Sequence, residues 1–367
     1  MAALSCGERA VRCLLGEPVD RLPFGVGIGY WPWGETHERW KRETGRQDLD
    51  IARELGFDGS FASPALKLGM FPEFENKVIE ETPEFVVSRD WRGITMRNRR
   101  DGHSMPEFLE YPVKTRADWE QLKRERLEPL RAGRVCEDWE AFRARLQKTG
   151  EAVQLGCFPF GVFGTPRDIV GVESLLLRFY DEPELIREMM AHLTTLWLSV
   201  WEQVVREVRV AHIHIWEDMA GRQGSLISPQ MIEQFMMPCY DRTLEFARAH
   251  GVRLISVDSD GDCRQLVPVM MKHGVNVFLP FEVQAGCDVF EYRRQYPTLG
   301  IWGGMDKRVL AGNRSDIDKE VARAARMAEQ GRYVPCFDHL IPPDVPWESF
   351  KYACEELRKV CYGKAGA

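Results

Sequence analysis

Charged side chains recur through the second half of the chain, each directly after a short apolar run. Glu217 and Asp218 follow 210–216, Asp258, Asp260 and Asp262 follow 253–257, and Glu282 follows 276–279. Asp306 and Lys307 come after 299–302, and Asp338 and His339 after 333–336. Acids brought to one place repel unless a cation or shared protons offset their charge. Lys307 and Arg308 can serve, and so can a divalent metal held by Glu217, Asp258, Asp260, Glu282 and His339. Oxygen ligands with one imidazole suit zinc, manganese or iron, whereas an all-oxygen set suits magnesium. The competing reading for a single acid is helix capping, as at Asp262, which immediately precedes a helical pattern.

Other groups widen the choice. His212 and His214 share one face of a strand, either as a metal pair or packed within the wall. Trp31, Trp33 and Trp40 follow the first apolar run and can stack on an aromatic substrate or fill a core. The glycines at 25, 27 and 29 lack both the spacing and the following helix of a nucleotide fingerprint. The run 258–262 has its glycine in the wrong place for a calcium loop.

These residues need elements to hold them together. From about residue 150, short apolar runs alternate with longer amphipathic segments. Strands are expected at 152–160, 210–216, 253–257, 276–279, 299–302 and 333–336, and helices at 183–206, 263–272, 289–295, 315–330 and 347–360. Ser228 reads as an N-cap with Pro229 at the first helical position, opening a helix toward His250. Adding 22–28 and 56–62 makes eight strands, and the alternation predicts an α/β fold, a (β/α)8 TIM barrel. Functional groups of such a barrel sit at the C-terminal ends of the strands, where the acids and His339 fall. The stretch 77–98 alternates as an antiparallel hairpin between strands 2 and 3, and charged helices at 116–125 and 137–147 complete that insertion.

Composition bounds the rest. The chain has 367 residues, 44% hydrophobic and 29% charged, and a net charge of −7, which argues against a general nucleic-acid binder. Arg97, Arg99 and Arg100 read as a solvated hairpin edge. No repeat or linker divides the chain, so residues 1–367 are expected to form one domain. The first segment is interrupted by Glu8, Arg9 and Arg12, unlike a signal peptide, and no apolar run is long enough for a membrane span. Ten scattered cysteines without a CxxC pair suggest reduced thiols in a cytoplasmic protein.

Three motifs carry a family resemblance. Residues 14–23 (LLGEPVDRLP) are similar to the approach to the first strand in the uroporphyrinogen-decarboxylase superfamily, residues 156–166 to its glycine-rich third-strand region, and residues 337–346 (FDHLIPPDVP) to its eighth-strand motif. The resemblance spans essentially the whole chain and implies the barrel. It also implies a choice of chemistry. Decarboxylases of the family carry arginines after the first strand for the substrate's carboxylates, but residues 29–35 (GYWPWGE) have none. The family's catalytic aspartate near the second strand falls at Gly59, beside Asp58.

The thiol-methylating branch binds zinc through His-x-Cys after the fifth strand and a cysteine after the eighth. Here those places hold Asp258-Ser259-Asp260 and His339. The resemblance therefore leans toward O-demethylating methyltransferases. It implies metal-assisted transfer, with zinc foremost, of a methyl group from a small methoxylated or methylated substrate to a corrinoid carried by a partner protein. In that reading His339, Asp260 and Lys307 are catalytic, Trp31, Trp33, Asp306 and Asp338 bind substrate, and Asp338 orients His339. Decarboxylation of a tetrapyrrole or smaller carboxylated ring is the rival, and a barrel that only binds a corrinoid or tetrapyrrole is a third reading. By analogy with the family's decarboxylases the chain is expected to form a homodimer.

Overall fold

The computed structural model describes residues 4–59, 61–100, 105–135 and 138–363. Alternation in the first third produces four antiparallel strands in sequence order, β1 (Lys77–Glu81), β2 (Phe85–Arg89), β3 (Thr95–Arg99) and β4 (Glu107–Glu110). The hairpin expected over 77–98 is the first three strands of this sheet. Its turn is tied by Gly93 N–H donating to Asp90 O at 3.0 Å. β1 and β4 are exposed along their whole length, so this is a surface sheet. Arg97 is solvent-exposed and pairs with Glu107 on the neighbouring strand at 2.9 Å while covering the Phe85 ring, but it sits on β3, which is paired on both sides, rather than on an edge. The expected helices follow at Arg116–Arg126 and Trp139–Thr149.

Beyond this sheet the apolar runs pair in parallel. β5 (Val153–Leu155) and β6 (Val210–Trp216) are adjacent. A two-residue hairpin, β7 (Ala220–Gly221) with β8 (Gly224–Ser225), leaves the end of β6. Then come β9 (Leu254–Asp258), β10 (Val277–Leu279), β11 (Gly300–Trp302) and β12 (Tyr333–Val334), and the six parallel strands lie in the order β12-β11-β10-β9-β6-β5. Each crossover is helical. The 23-residue helix Pro183–Val205 buries Leu185, Met189, Leu193, Leu196, Val200 and Val204, a three-to-four-residue spacing that turns one face inward, and it packs against helices Val172–Asp181 and Met237–Ala249. Each such side chain removed from water contributes about 1.5–3 kcal/mol. Ser228 accepts from Met231 N–H with Pro229 at the first helical position, as its sequence position implied. No helix among the described residues is long and apolar enough to cross a membrane.

The first two of the eight expected strands are corrected. Residues 22–28 form no ladder, because Pro23 lacks an N–H and Gly25 and Gly27 hold φ of 72° and 120°. The backbone departs from strand geometry to let side chains approach. A Cβ at Gly27 would lie 2.5 Å from Trp302 Nε1, which donates to Val26 O at 2.9 Å. Of the expected strand 56–62, in which residue 60 lies outside the described residues, one parallel bridge remains, Ala62 to Val153, and Asp58 N–H meets Phe24 O of the first segment at 2.9 Å. Asp58 itself is bonded by the Arg21 guanidinium and Phe24 N–H, which makes it structural. Inside the curve of the sheet, the His212 ring meets Phe61 at 4.8 Å and Trp302 at 6.4 Å between centroids.

Candidate active site

The C-terminal ends of the parallel strands carry the acids, and each has a partner. Asp258 ends β9, and its backbone oxygen accepts from Glu217 N–H at 2.8 Å and Asp218 N–H at 3.3 Å, tying the ends of β6 and β9 together. Asp218 there has φ 43°, and Phe281, beside Glu282, has φ 60°. Two non-glycine residues in the left-handed region cost about 1 kcal/mol or more each and gather where a site dictates the backbone. Gly261 has φ 78°, and a Cβ on it would lie 2.5 Å from Ala220 O. Only glycine fits there, and its N–H donates to Glu282 Oε2 at 3.0 Å.

The centre of the site is His339 with Asp260. His339 Nε2 lies 3.3 Å from Asp260 Oδ2, and the Trp33 ring stacks over the imidazole at 6.0 Å between centroids and 30° between planes. Burial alone would lower the His339 pKa. The hydrogen bond and charge of Asp260 outweigh it, so the net shift is upward. Trp33 and Trp31 remain 40% and 45% exposed, so their faces are open to a ligand. Phe158, 63% exposed, stands edge-on to Trp216 at the end of β6.

Beside the pair, Lys307 Nζ lies 3.2 Å from Asp338 Oδ1 and 3.6 Å from Glu282 Oε1. Asp338 is fully buried. Its Oδ2 accepts from Val283 N–H at 2.9 Å and its Oδ1 from Lys307 N–H at 3.2 Å. It clamps the loops after β10 and β11 and does not orient His339, so the expected orienting role passes to Asp260. As a fully enclosed clamp it is also removed from the substrate-binding set.

Asp306 is corrected in the same way. It caps the short helix Lys307–Ala311 through Arg308 N–H at 3.0 Å and grips the Arg308 guanidinium. Asp262 likewise caps Cys263–Gln265, which is the capping alternative. Trp40 packs in the core on Phe350 at 4.7 Å.

The five residues expected to share a metal are therefore not a donor set. Glu217 is fully buried and saturated: Oε1 accepts from Val162 N–H at 2.9 Å and Tyr240 O–H at 2.6 Å, and Oε2 from Phe163 and Gly164 N–H at 2.6 and 3.1 Å. Burial raises its pKa and these donors oppose the rise. Glu282 is held by Gly261 N–H, and His339 by Asp260. Among the described residues no three His, Cys, Asp or Glu side chains converge as a metal would require. The residues present do not fit a metal ion in this arrangement.

A second group of residues was not expected to act together. His212 and His214 both contact Ser256, whose hydroxyl lies 2.7 Å from His212 Nε2 and 2.8 Å from His214 Nδ1. The pairing of β6 with β9 sets His214 opposite Ser256. Same-face parity of the two histidines was visible in the sequence, but the partner strand and its register were not. Arg167 was missed as well: it bonds Asp218 Oδ2 at 2.7 Å and covers Trp216 at 4.8 Å.

Comparison with known proteins agrees with this frame. A family model described as Uroporphyrinogen decarboxylase (URO-D) matches residues 90–360. Curated relatives include a uroporphyrinogen decarboxylase of Prochlorococcus marinus (strain AS9601), 22% identical over 50% of this chain and 51% of its own length. Another, from Anaeromyxobacter sp. (strain Fw109-5), is 26% identical over 65% of this chain and 67% of its own length. The chain thus spans about half the length of the first of these relatives. Among solved structures, a methyltransferase from Methanosarcina mazei superposes with a TM-score of 0.59 at 17% identity, covering 97% of this chain and 99% of that one, a likeness of fold.

Proposed function

The chain belongs to the uroporphyrinogen decarboxylase family, and from that premise we propose that its site moves a methyl group from the oxygen of a small methoxylated substrate to a corrinoid on a separate protein, with His339 as general acid. The observation that carries this reading is the His339–Asp260 pair beneath Trp33. Asp260 raises the imidazole pKa, so a protonated ring is populated near neutral pH and has a proton to give. An aryl or alkyl oxide is a poor leaving group. As the carbon–oxygen bond breaks, its electron pair stays on oxygen, and the His339 proton neutralises the charge to leave an alcohol or phenol. His339 is then neutral and regains a proton from water.

The exposed part of Trp33 offers a stacking surface for an aromatic ring next to the imidazole, and Lys307 keeps Asp338 and Glu282 compatible at short range. The exposed aromatic surfaces of Trp31 and Trp33 suit the flat apolar surface of a macrocycle. A reduced corrinoid, when bound, supplies the electron pair that accepts the methyl. The likeness of fold to a methyltransferase supports the reading.

One observation favours a second reading. The curated relatives above are named uroporphyrinogen decarboxylases, and a histidine acid can equally protonate the carbon left by departing CO2. Incubation of the protein with methoxylated benzoates and a reduced corrinoid, followed by chromatography, separates the two. Demethylated phenol that vanishes in His339→Gln is the expected result. Release of CO2 from a porphyrinogen without phenol formation replaces this reading with decarboxylation. Stoichiometric zinc lost in Asp260→Ala, measured by elemental analysis, replaces the proton donor with a Lewis acid.

A further inference from the structure

We infer that His212, Ser256 and His214 form a hydrogen-bond chain of one fixed direction that leaves the His214 Nε2–H facing Asp258, making His214 a positioning residue for that carboxyl group. Ser256 is fully buried and has one proton to donate, yet it contacts two imidazole nitrogens at 2.7 and 2.8 Å. Both rings can donate to its oxygen only if the hydroxyl proton has a third acceptor, and Ser256 Oγ contacts none among the described residues. One ring therefore donates and the other accepts. Both histidines are held neutral by burial, which lowers each pKa, that of His214 to about 4. Each consequently carries a single N–H.

His212 decides the direction. Its Nδ1 is buried without a partner. An orphaned N–H in a protein interior is rarer and more costly than an orphaned lone pair. The bare nitrogen is thus Nδ1, and His212 Nε2–H donates to Ser256. Ser256 O–H then donates to His214 Nδ1, which places the His214 proton on Nε2. Nε2 lies 3.8 Å from Asp258 Oδ2, an electrostatic contact longer than a hydrogen bond. The His214 N–H thereby presents its positive edge to Asp258 Oδ2 at the end of β9. The chain starts between the Phe61 and Trp302 rings, where packing holds His212 in place.

The consequence for turnover rests on the function proposed above, whereas the direction of the chain does not. Nitrogen-15 histidine labelling with long-range proton–nitrogen correlation reads each tautomer, with His212→Gln and His214→Gln variants supplying the assignments. Both rings are expected as Nε2–H tautomers at pH 7. Nδ1–H tautomers, or a protonated ring, overturn the inference. Ser256→Ala is expected to release His214 into a tautomer mixture, and Ser256→Thr to restore the single form. If His214 keeps one tautomer in Ser256→Ala, the serine does not set it. Where demethylation is measurable, kcat should fall about tenfold in Ser256→Ala with KM unchanged and recover in Ser256→Thr. Unchanged kcat alongside an altered tautomer removes the positioning role.

Discussion

Asp260 and His339, contributed by the loops after β9 and β12, meet at 3.3 Å, while Lys307 approaches the same imidazole's surroundings from the loop after β11. The carboxylate raises the imidazole pKa and the ammonium lowers it, so the two neighbours have opposite and separable effects. Asp260→Asn should lower the His339 pKa and Lys307→Met should raise it. Histidine NMR titration checks both signs, and a shift in the same direction for the two variants would contradict the arrangement.

The same pair makes stability depend on pH. His339 gains affinity for its proton on folding, so the pair's full contribution is present below the unfolded histidine value of about 6.5 and is lost as pH rises through the folded pKa. Urea denaturation of wild type and Asp260→Asn should differ by about 1 kcal/mol at pH 5.5 and converge as pH rises above the folded pKa. A gap that widens with pH would refute this.

Activity should follow the proton. With His339 as acid, the rate falls on the alkaline side of its raised pKa, and Asp260→Asn moves that limb to lower pH. His339→Gln should cost about a hundredfold or more in kcat. An alkaline limb that stays in place in Asp260→Asn points to a different acid.

Trp33 is 40% exposed and carries little of the core, so Trp33→Ala should leave the melting temperature nearly unchanged. Loss of a stacking face is worth about 1 kcal/mol, a rise in KM of roughly fivefold for an aromatic substrate. A large fall in melting temperature would instead make Trp33 a structural lid.

Glu217 satisfies three backbone N–H groups and the Tyr240 hydroxyl with no exposure to water. Glu217→Ala should destabilise by roughly 3–5 kcal/mol, and Tyr240→Phe by about 1–2 kcal/mol, in chemical denaturation. A neutral Glu217→Ala would mean that loop 162–164 finds other acceptors.

Much of this molecule is determined by local sequence. Period-two and period-three-to-four patterns mark the strands β6 and β9 through β12 and the helices between them within a residue or two, because burial of one face dictates the spacing of apolar residues. Those patterns also put His339, Asp260 and Lys307 at strand ends. Residues 22–28 escaped the pattern, since their apolar run is real but Pro23 and two positive-φ glycines serve close approaches that only folding reveals.

Charge type was legible, and partnership was not. Nothing local distinguishes Asp260, which faces His339, from Asp306, which grips Arg308, or Glu217, which closes a backbone loop. Those fates depend on which loop crosses which strand end. The link from Ser256 to His214 depends on the register of two strands more than forty residues apart in sequence. Register is settled by packing both faces of the whole sheet at once, a condition that no short stretch of chain contains.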